Sequence, residues 1–71
     1  MFHRPRLVIS PTPSGWQVVD AEGRLPASWY RTVEEAKREA SDYLAMRGGG
    51  ELVVKEGNTE VSVRQVEPSN R

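Results

Sequence analysis

One stretch of this 71-residue chain, Thr32–Arg47 (TVEEAKREASDYLAMR), is long and periodic enough to be a helix. Thr32 and Glu35 have the spacing of a capping box, in which each side chain accepts the other residue's backbone N–H. Apolar residues recur every three or four positions and form one stripe: Val33, Ala36, Ala40, Tyr43 and Leu44. Gly48 follows and can take the left-handed conformation that ends a helix. A helix this short is marginal alone, so the stripe must pack on the rest of the chain.

The remaining apolar residues fall in short alternating runs between turn-forming residues, a pattern typical of strands. Three runs precede the helix, within 6–10, 16–20 and 24–31, and two follow it, within 51–55 and 60–66. The order β-β-β-α-β-β predicts an α+β fold, an antiparallel sheet of about five strands with the helix packed on one face. Pro26 cannot donate a hydrogen bond to a neighbouring strand, so we expect the third strand at an edge of the sheet.

Alternation along these strands assigns their side chains to two faces of the sheet. The face against the helix is predicted to carry Leu7, Ile9, Trp16, Val18, Leu25, Trp29, Leu52, Val54, Val61 and Val63. One helix covers only part of a five-stranded sheet, so a second apolar set is expected on the uncovered face. That set comprises Val8, Val19, Tyr30, Val53 and Val66, along with the polar residues Gln17, Lys55, Ser62 and Arg64.

Length and composition predict a single small domain over residues 1–71, with 1–5 as a loose N-terminal arm and 67–71 as a polar tail. The chain has no cysteine, which excludes a disulfide framework, a thiolate zinc site and a cysteine nucleophile and suits a reducing compartment. No run reaches the length of a membrane span, and residues 1–6 lack the apolar core of a signal peptide. We therefore expect a cytoplasmic protein with no membrane partner.

Several of these motifs resemble one known family. Gly15-Trp16-x-Val18 is followed by the helix start Thr32-x-x-Glu35-Ala36, with Ala40 one turn on, and then by Gly50-Glu51-Leu52-Val53-Val54. This arrangement, from about Leu7 to Val63, resembles domain of unknown function 2188, a family of small bacterial proteins. The last loop departs from the family pattern, which usually has an Asp-Gly pair there. The resemblance implies a fold and no activity, cofactor or site residue.

Groups that could carry catalysis are sparse in this sequence. His3 is the single histidine, and no base partner is evident for any serine, so neither a zinc site nor Ser–His catalysis is expected. The carboxylates of the helix alternate with Lys37 and Arg38, which is typical of a solvated helix face. We therefore expect no enzymatic activity, no cofactor and no metal. An enzyme would regain support if the fold brought Tyr30 or Asp20 into a deep polar pocket.

Two functional hypotheses follow from the uncovered sheet face. The first is a noncatalytic binding module that uses this face or a sheet edge, with a protein partner or a second copy of the chain. Its contact residues would be Val8, Val19, Tyr30, Val53, Lys55, Arg64, Arg4 and Arg6. The alternative is weak nucleic-acid binding through Arg4, Arg6, Tyr30, Lys55 and Arg64, which the net charge of zero makes less favoured.

Overall fold

The computed structural model describes residues 4–57 and 59–68. It contains β1 (Arg6–Thr12), β2 (Gly15–Asp20), β3 (Ser28–Tyr30), α1 (Val33–Met46), β4 (Gly50–Glu56) and β5 (Thr59–Val66). The predicted element order, with one helix and a five-stranded sheet, is confirmed. Parts of the expected arm and tail, 1–3 and 69–71, lie outside the described residues. Pro5, also assigned to that arm, is joined to the sheet, because its carbonyl accepts the Glu51 N–H at 3.0 Å.

The sheet is mixed, so the prediction of a purely antiparallel sheet is wrong. The strands lie in the order β3-β2-β1-β4-β5, and β1 pairs with β4 in parallel while the other neighbours are antiparallel. The chain reaches one edge of the sheet at β3, and α1 then crosses over a face to bring β4 beside β1. A parallel pair needs such a crossover, for which the hairpins on either side provide no local signal.

The helix ends at the glycine that its sequence predicts, and at its start one of the two hydrogen bonds of the predicted capping box is present. Thr32 is the N-cap, and its Oγ1 accepts the Glu35 N–H at 3.1 Å. At the other end, the N–H of Gly49 donates to the Leu44 carbonyl at 2.7 Å, and Gly48 has a φ of 93°. Both features belong to a Schellman ending, in which glycine takes the left-handed conformation at low cost.

We expect Thr32→Ala to destabilise the domain by about 1 kcal/mol, because the Glu35 N–H would lose its acceptor. Thr32→Ser keeps the hydroxyl and is the matched control, with a loss close to zero. Urea denaturation followed by circular dichroism measures both free energies of unfolding. Equal losses for the two variants would show that the capping hydrogen bond is not the cause.

The core lies between α1 and the three central strands. It consists of Leu7, Ile9, Val18, Ala36, Ala40, Leu44, Leu52 and Val54, each at most 8% exposed. Two alanines in the helix stripe let the helix backbone approach the sheet closely. Leu44, which is completely buried, fills the space between the helix and the sheet. The inward assignments of the β1 and β4 side chains in this cluster are therefore confirmed.

Two strand boundaries differ from the sequence prediction. β1 continues through Pro11 to Thr12, which is possible because β4 pairs only with residues Arg6 to Ile9 of β1 and leaves the end of β1 without that neighbour. The third strand is only three residues long, since the preceding residues form a loop instead. Asp20 holds that loop, because its carboxylate accepts the N–H of Glu22 at 2.9 Å and of Arg24 at 3.2 Å.

Candidate functional site: the helix-free face of the sheet

A row of four valines crosses the side of the sheet that faces away from α1. Val19 pairs with Val8, Val8 with Val53, and Val53 with Val63, so the row runs straight across β2, β1, β4 and β5. In β1, β2 and β4 the valines of the row alternate with core residues, and Val63 of β5 pairs with Val53. The row therefore lies on the helix-free face. The predicted positions of Val8, Val19 and Val53 on this face are confirmed.

The centre of the valine row is closed to solvent by an ion-pair bridge. Val53 is 0% exposed although no helix covers it. Arg6 Nε lies 2.9 Å from Glu51 Oε1, and its terminal Nη2 lies 3.3 Å from Glu60 Oε2. Glu51 precedes Val53 by two residues, and Glu60 pairs with Lys55, two residues after Val53. The Arg6 side chain therefore spans the position of Val53, and the uncovered face is less open than the apolar pattern predicts.

Arg6 interacts with both carboxylates of this bridge, but in different ways. The Nη2 group makes a hydrogen bond with Glu60, whereas the Nε–H has no aligned acceptor and meets Glu51 only as an ion pair. Glu51 also accepts a hydrogen bond of 3.3 Å from Gln65 Nε2 on β5. Pairs as exposed as these contribute only about 0–1 kcal/mol each to stability. Their larger effect is to shield the centre of the valine row and to occupy the guanidinium.

Trp29 stands exposed at one end of this face. It is 60% exposed and pairs with Gln17, whereas its neighbour Tyr30 pairs with Trp16 and packs against the core. The sequence assigned Trp29 to the core and Tyr30 to the uncovered face, and both assignments are wrong. An alternation that starts at Leu25 does not hold, because a loop separates Leu25 from the strand Ser28–Tyr30. A one-residue change in strand register exchanges the two faces.

The opposite end of the face is the edge strand β5. Val61 and Val63 are each 52% exposed, so their predicted place in the core is wrong. α1 lies over the central strands, and a register shift between Val54 and Lys55 gives β5 an extra residue near Val61. Val66 packs against the core instead of lying on the uncovered face, where the sequence placed it.

The basic residues proposed for nucleic-acid contact do not form one patch. Arg64 pairs with Leu52 and Ser62 with Val54, which puts both on the helix side of the sheet and corrects their predicted face. Tyr30 lies on that side too, and Arg6 is bound to two carboxylates. Arg6 and Lys55 both lie on the uncovered face, and each has an acidic neighbour on the adjacent strand, Glu51 and Glu60 respectively. Arg4 is exposed and precedes the first strand.

The part of the chain that the structure describes contains no cluster of three metal-ligating side chains and no helix long and apolar enough to cross a membrane. In comparisons with known proteins, no family model, no curated protein and no solved structure matches the chain. The resemblance to domain of unknown function 2188 therefore stays a prediction that depends on the motifs from Leu7 to Val63.

Trp29 is the site residue that sequence reasoning missed. The signal that could have identified it is Pro26, which makes an unbroken strand from Arg24 improbable and moves the start of the strand towards Ser28. A strand that starts at Ser28 does not by itself determine on which face of the sheet Trp29 lies. The choice depends on which residue of β3 meets Trp16, and that residue is Tyr30.

Proposed function

We propose that this chain is a noncatalytic binding module that recognises a protein partner, a second copy of itself included, with the helix-free face of its sheet. The observation that carries the proposal is the position of Trp29, which is 60% exposed on this face. Tryptophan is enriched among the residues that dominate protein–protein binding energies, because it buries a large rigid surface at low entropic cost.

The rest of the face supports an apolar contact with a polar rim. Val8 and Val19 are half-buried beside the Trp29 end, and Val63 is exposed at the β5 end. Arg6, Glu51 and Glu60 lie around the valine row with both signs of charge, so the surface has no single-sign field that would favour a polyanion. Apolar centres surrounded by polar residues are the ordinary composition of protein interfaces.

Site-specific photo-crosslinking in the source cell tests this function. A photoreactive phenylalanine analogue at position 29 is expected to give a discrete adduct, because that position lies inside the proposed contact. The same analogue at position 46 is the matched control, since Met46 is even more exposed, at 82%, but lies in the last turn of α1. A homodimer would give an adduct of twice the 8.0 kDa monomer mass, and another partner a different mass.

A second substitution links the adduct to the face as a whole. Val63→Glu introduces a charge at the far end of the valine row, and at an exposed edge position it costs the fold little. The adduct from position 29 is expected to weaken strongly in this variant. Equal adducts from positions 29 and 46, or no adduct from position 29, would contradict the proposed function.

A further inference from the structure

A cavity of about 220 Å³ lies on the helix side of the sheet, between α1, β2 and the loop that leads to β3. Its lining is about evenly apolar and polar, and its polar groups come from two carboxylates, two tyrosines and one serine. The lining residues are Leu7, Val18, Asp20, Leu25, Pro26, Ser28, Tyr30, Glu39, Ala40 and Tyr43. The fold therefore does bring Asp20 and Tyr30 together in one pocket.

Asp20 places a buried carboxylate in the wall of this cavity. It is 7% exposed, and its two oxygens accept the N–H groups of Glu22 and Arg24. A carboxylate offers about four acceptor positions, so these two bonds leave about half of them unused. Among the described residues, no lysine, arginine or histidine makes an ion pair with Asp20, and none lines the cavity. The two N–H groups offset part of the cost of burying this carboxylate, and a bound cation would add the oppositely charged partner that the described residues do not provide.

The other walls have the chemistry that complements a cation. Glu39 contributes a second carboxylate from α1, and Tyr30 and Tyr43 contribute aromatic surface. Aromatic rings together with carboxylates are the usual surroundings of bound organic cations. The Tyr43 ring already makes a cation–π contact within the chain, because the guanidinium carbon of Arg47 lies 5.2 Å from its centroid. That arginine lines a neighbouring space with Pro5 and Arg24, and Arg24 is paired with Glu22 at 3.2 Å.

We propose that this cavity binds a small organic cation, an alkylamine or a quaternary ammonium compound. Its volume of about 220 Å³ is well above the roughly 10–15 Å³ that a single water needs, and it suits a ligand of few heavy atoms. The ammonium group meets Asp20 and Glu39, and the alkyl part meets the apolar floor formed by Leu7, Val18 and Ala40. This site lies on the opposite side of the sheet from Trp29 and does not depend on the proposed function of that face.

Titration of the ¹⁵N-labelled chain with n-butylammonium, followed by amide chemical shifts, tests the proposal. Saturable shifts are expected for residues 21–28 and 39–43, around the cavity, and not for β5. 1-Butanol and butyrate have similar size and shape without the positive charge and are expected to give no saturable shift. Shifts of equal size with 1-butanol would mean an apolar cavity without cation recognition and would overturn the proposal, as would the absence of saturable shifts with n-butylammonium.

Two substitutions assign the recognition to the carboxylates. Asp20→Asn removes the buried charge and should weaken n-butylammonium binding by about tenfold or more. This variant also changes the acceptor of the Arg24 N–H, so Glu39→Gln, at an exposed helix position, provides a test that leaves the loop intact. Glu39→Gln should weaken binding by about two- to fivefold, and Glu34→Gln, on the same helix away from the cavity, by none. Unchanged affinity in Glu39→Gln would overturn the proposal.

Discussion

Leu44→Ala is expected to remove about half of the free energy of unfolding of this domain. Leu44 is 0% exposed and belongs to the core cluster in which α1 meets the sheet. Truncating a buried leucine costs about 2–5 kcal/mol, because the apolar transfer energy is lost and a cavity remains. The whole domain should be stable by only about 4–10 kcal/mol, from about 0.05–0.15 kcal/mol per residue. Urea denaturation followed by circular dichroism measures the loss.

Met46→Ala is the matched control for this substitution. It removes a side chain of similar size from the same helix, two residues along, but Met46 is 82% exposed. Its free energy of unfolding should change by less than about 0.5 kcal/mol. Similar losses for the two variants would contradict the packing of α1 on the sheet through the face that contains Leu44.

Gly15→Ala is expected to produce the second large loss, about 2–4 kcal/mol, because two costs combine. Gly15 has a φ of 146°, which side-chain-bearing residues rarely adopt. A Cβ added there would also collide with the backbone carbonyl oxygen of Tyr30 on the neighbouring strand. A backbone atom cannot move aside as a flexible side chain can, so β3 would have to shift away from β2. The free energy of unfolding from urea denaturation tests this expectation.

Gly23→Ala separates the strain of the backbone from the collision. Gly23 also has a positive φ, 72°, but an added Cβ would have no neighbour within 4 Å. The expected loss is about 1 kcal/mol, the cost of the left-handed conformation alone. If Gly15→Ala and Gly23→Ala lose the same stability, then β3 does not approach Gly15 as closely as the structure indicates.

The helix and its ends could be predicted from sequence because their causes are local. The Thr32 cap, the apolar stripe and the Gly48 ending each depend on residues within a few positions of one another. The element order follows from the same local alternation and turn residues. These signals are sufficient for the fold class and for the inward residues of the long strands β1 and β4.

The mixed sheet could not be predicted in this way. Leu7 pairs with Leu52, and the 44 residues between them contain three other elements. Two apolar strands of this kind pair equally well in either direction as far as their own residues are concerned. The direction of β4 is set by the crossover of α1 and by the space beside β1, which are properties of the assembled fold.

The sequence predicts the residues of the candidate face correctly in the long strands and incorrectly in the short strand β3. Val8, Val19 and Val53 belong to long strands, where the inward residues are strongly apolar and determine the alternation. Trp29 and Tyr30 belong to a strand of three residues, in which either parity is equally plausible. The ion-pair bridge of Arg6 to Glu51 and Glu60 joins three strands and has no sequence signature.

Trp29 is exposed on the helix-free face of the sheet, while its neighbour Tyr30 packs against the core. Acrylamide quenching of two single-tryptophan variants tests this arrangement most directly. Trp16→Phe leaves Trp29 as the reporter, and Trp29→Phe leaves Trp16, which is half-buried against the core. We expect strong quenching of Trp29, close to that of the unfolded chain, and clearly weaker quenching of Trp16. Equal quenching of the two tryptophans, or weaker quenching of Trp29, would contradict it.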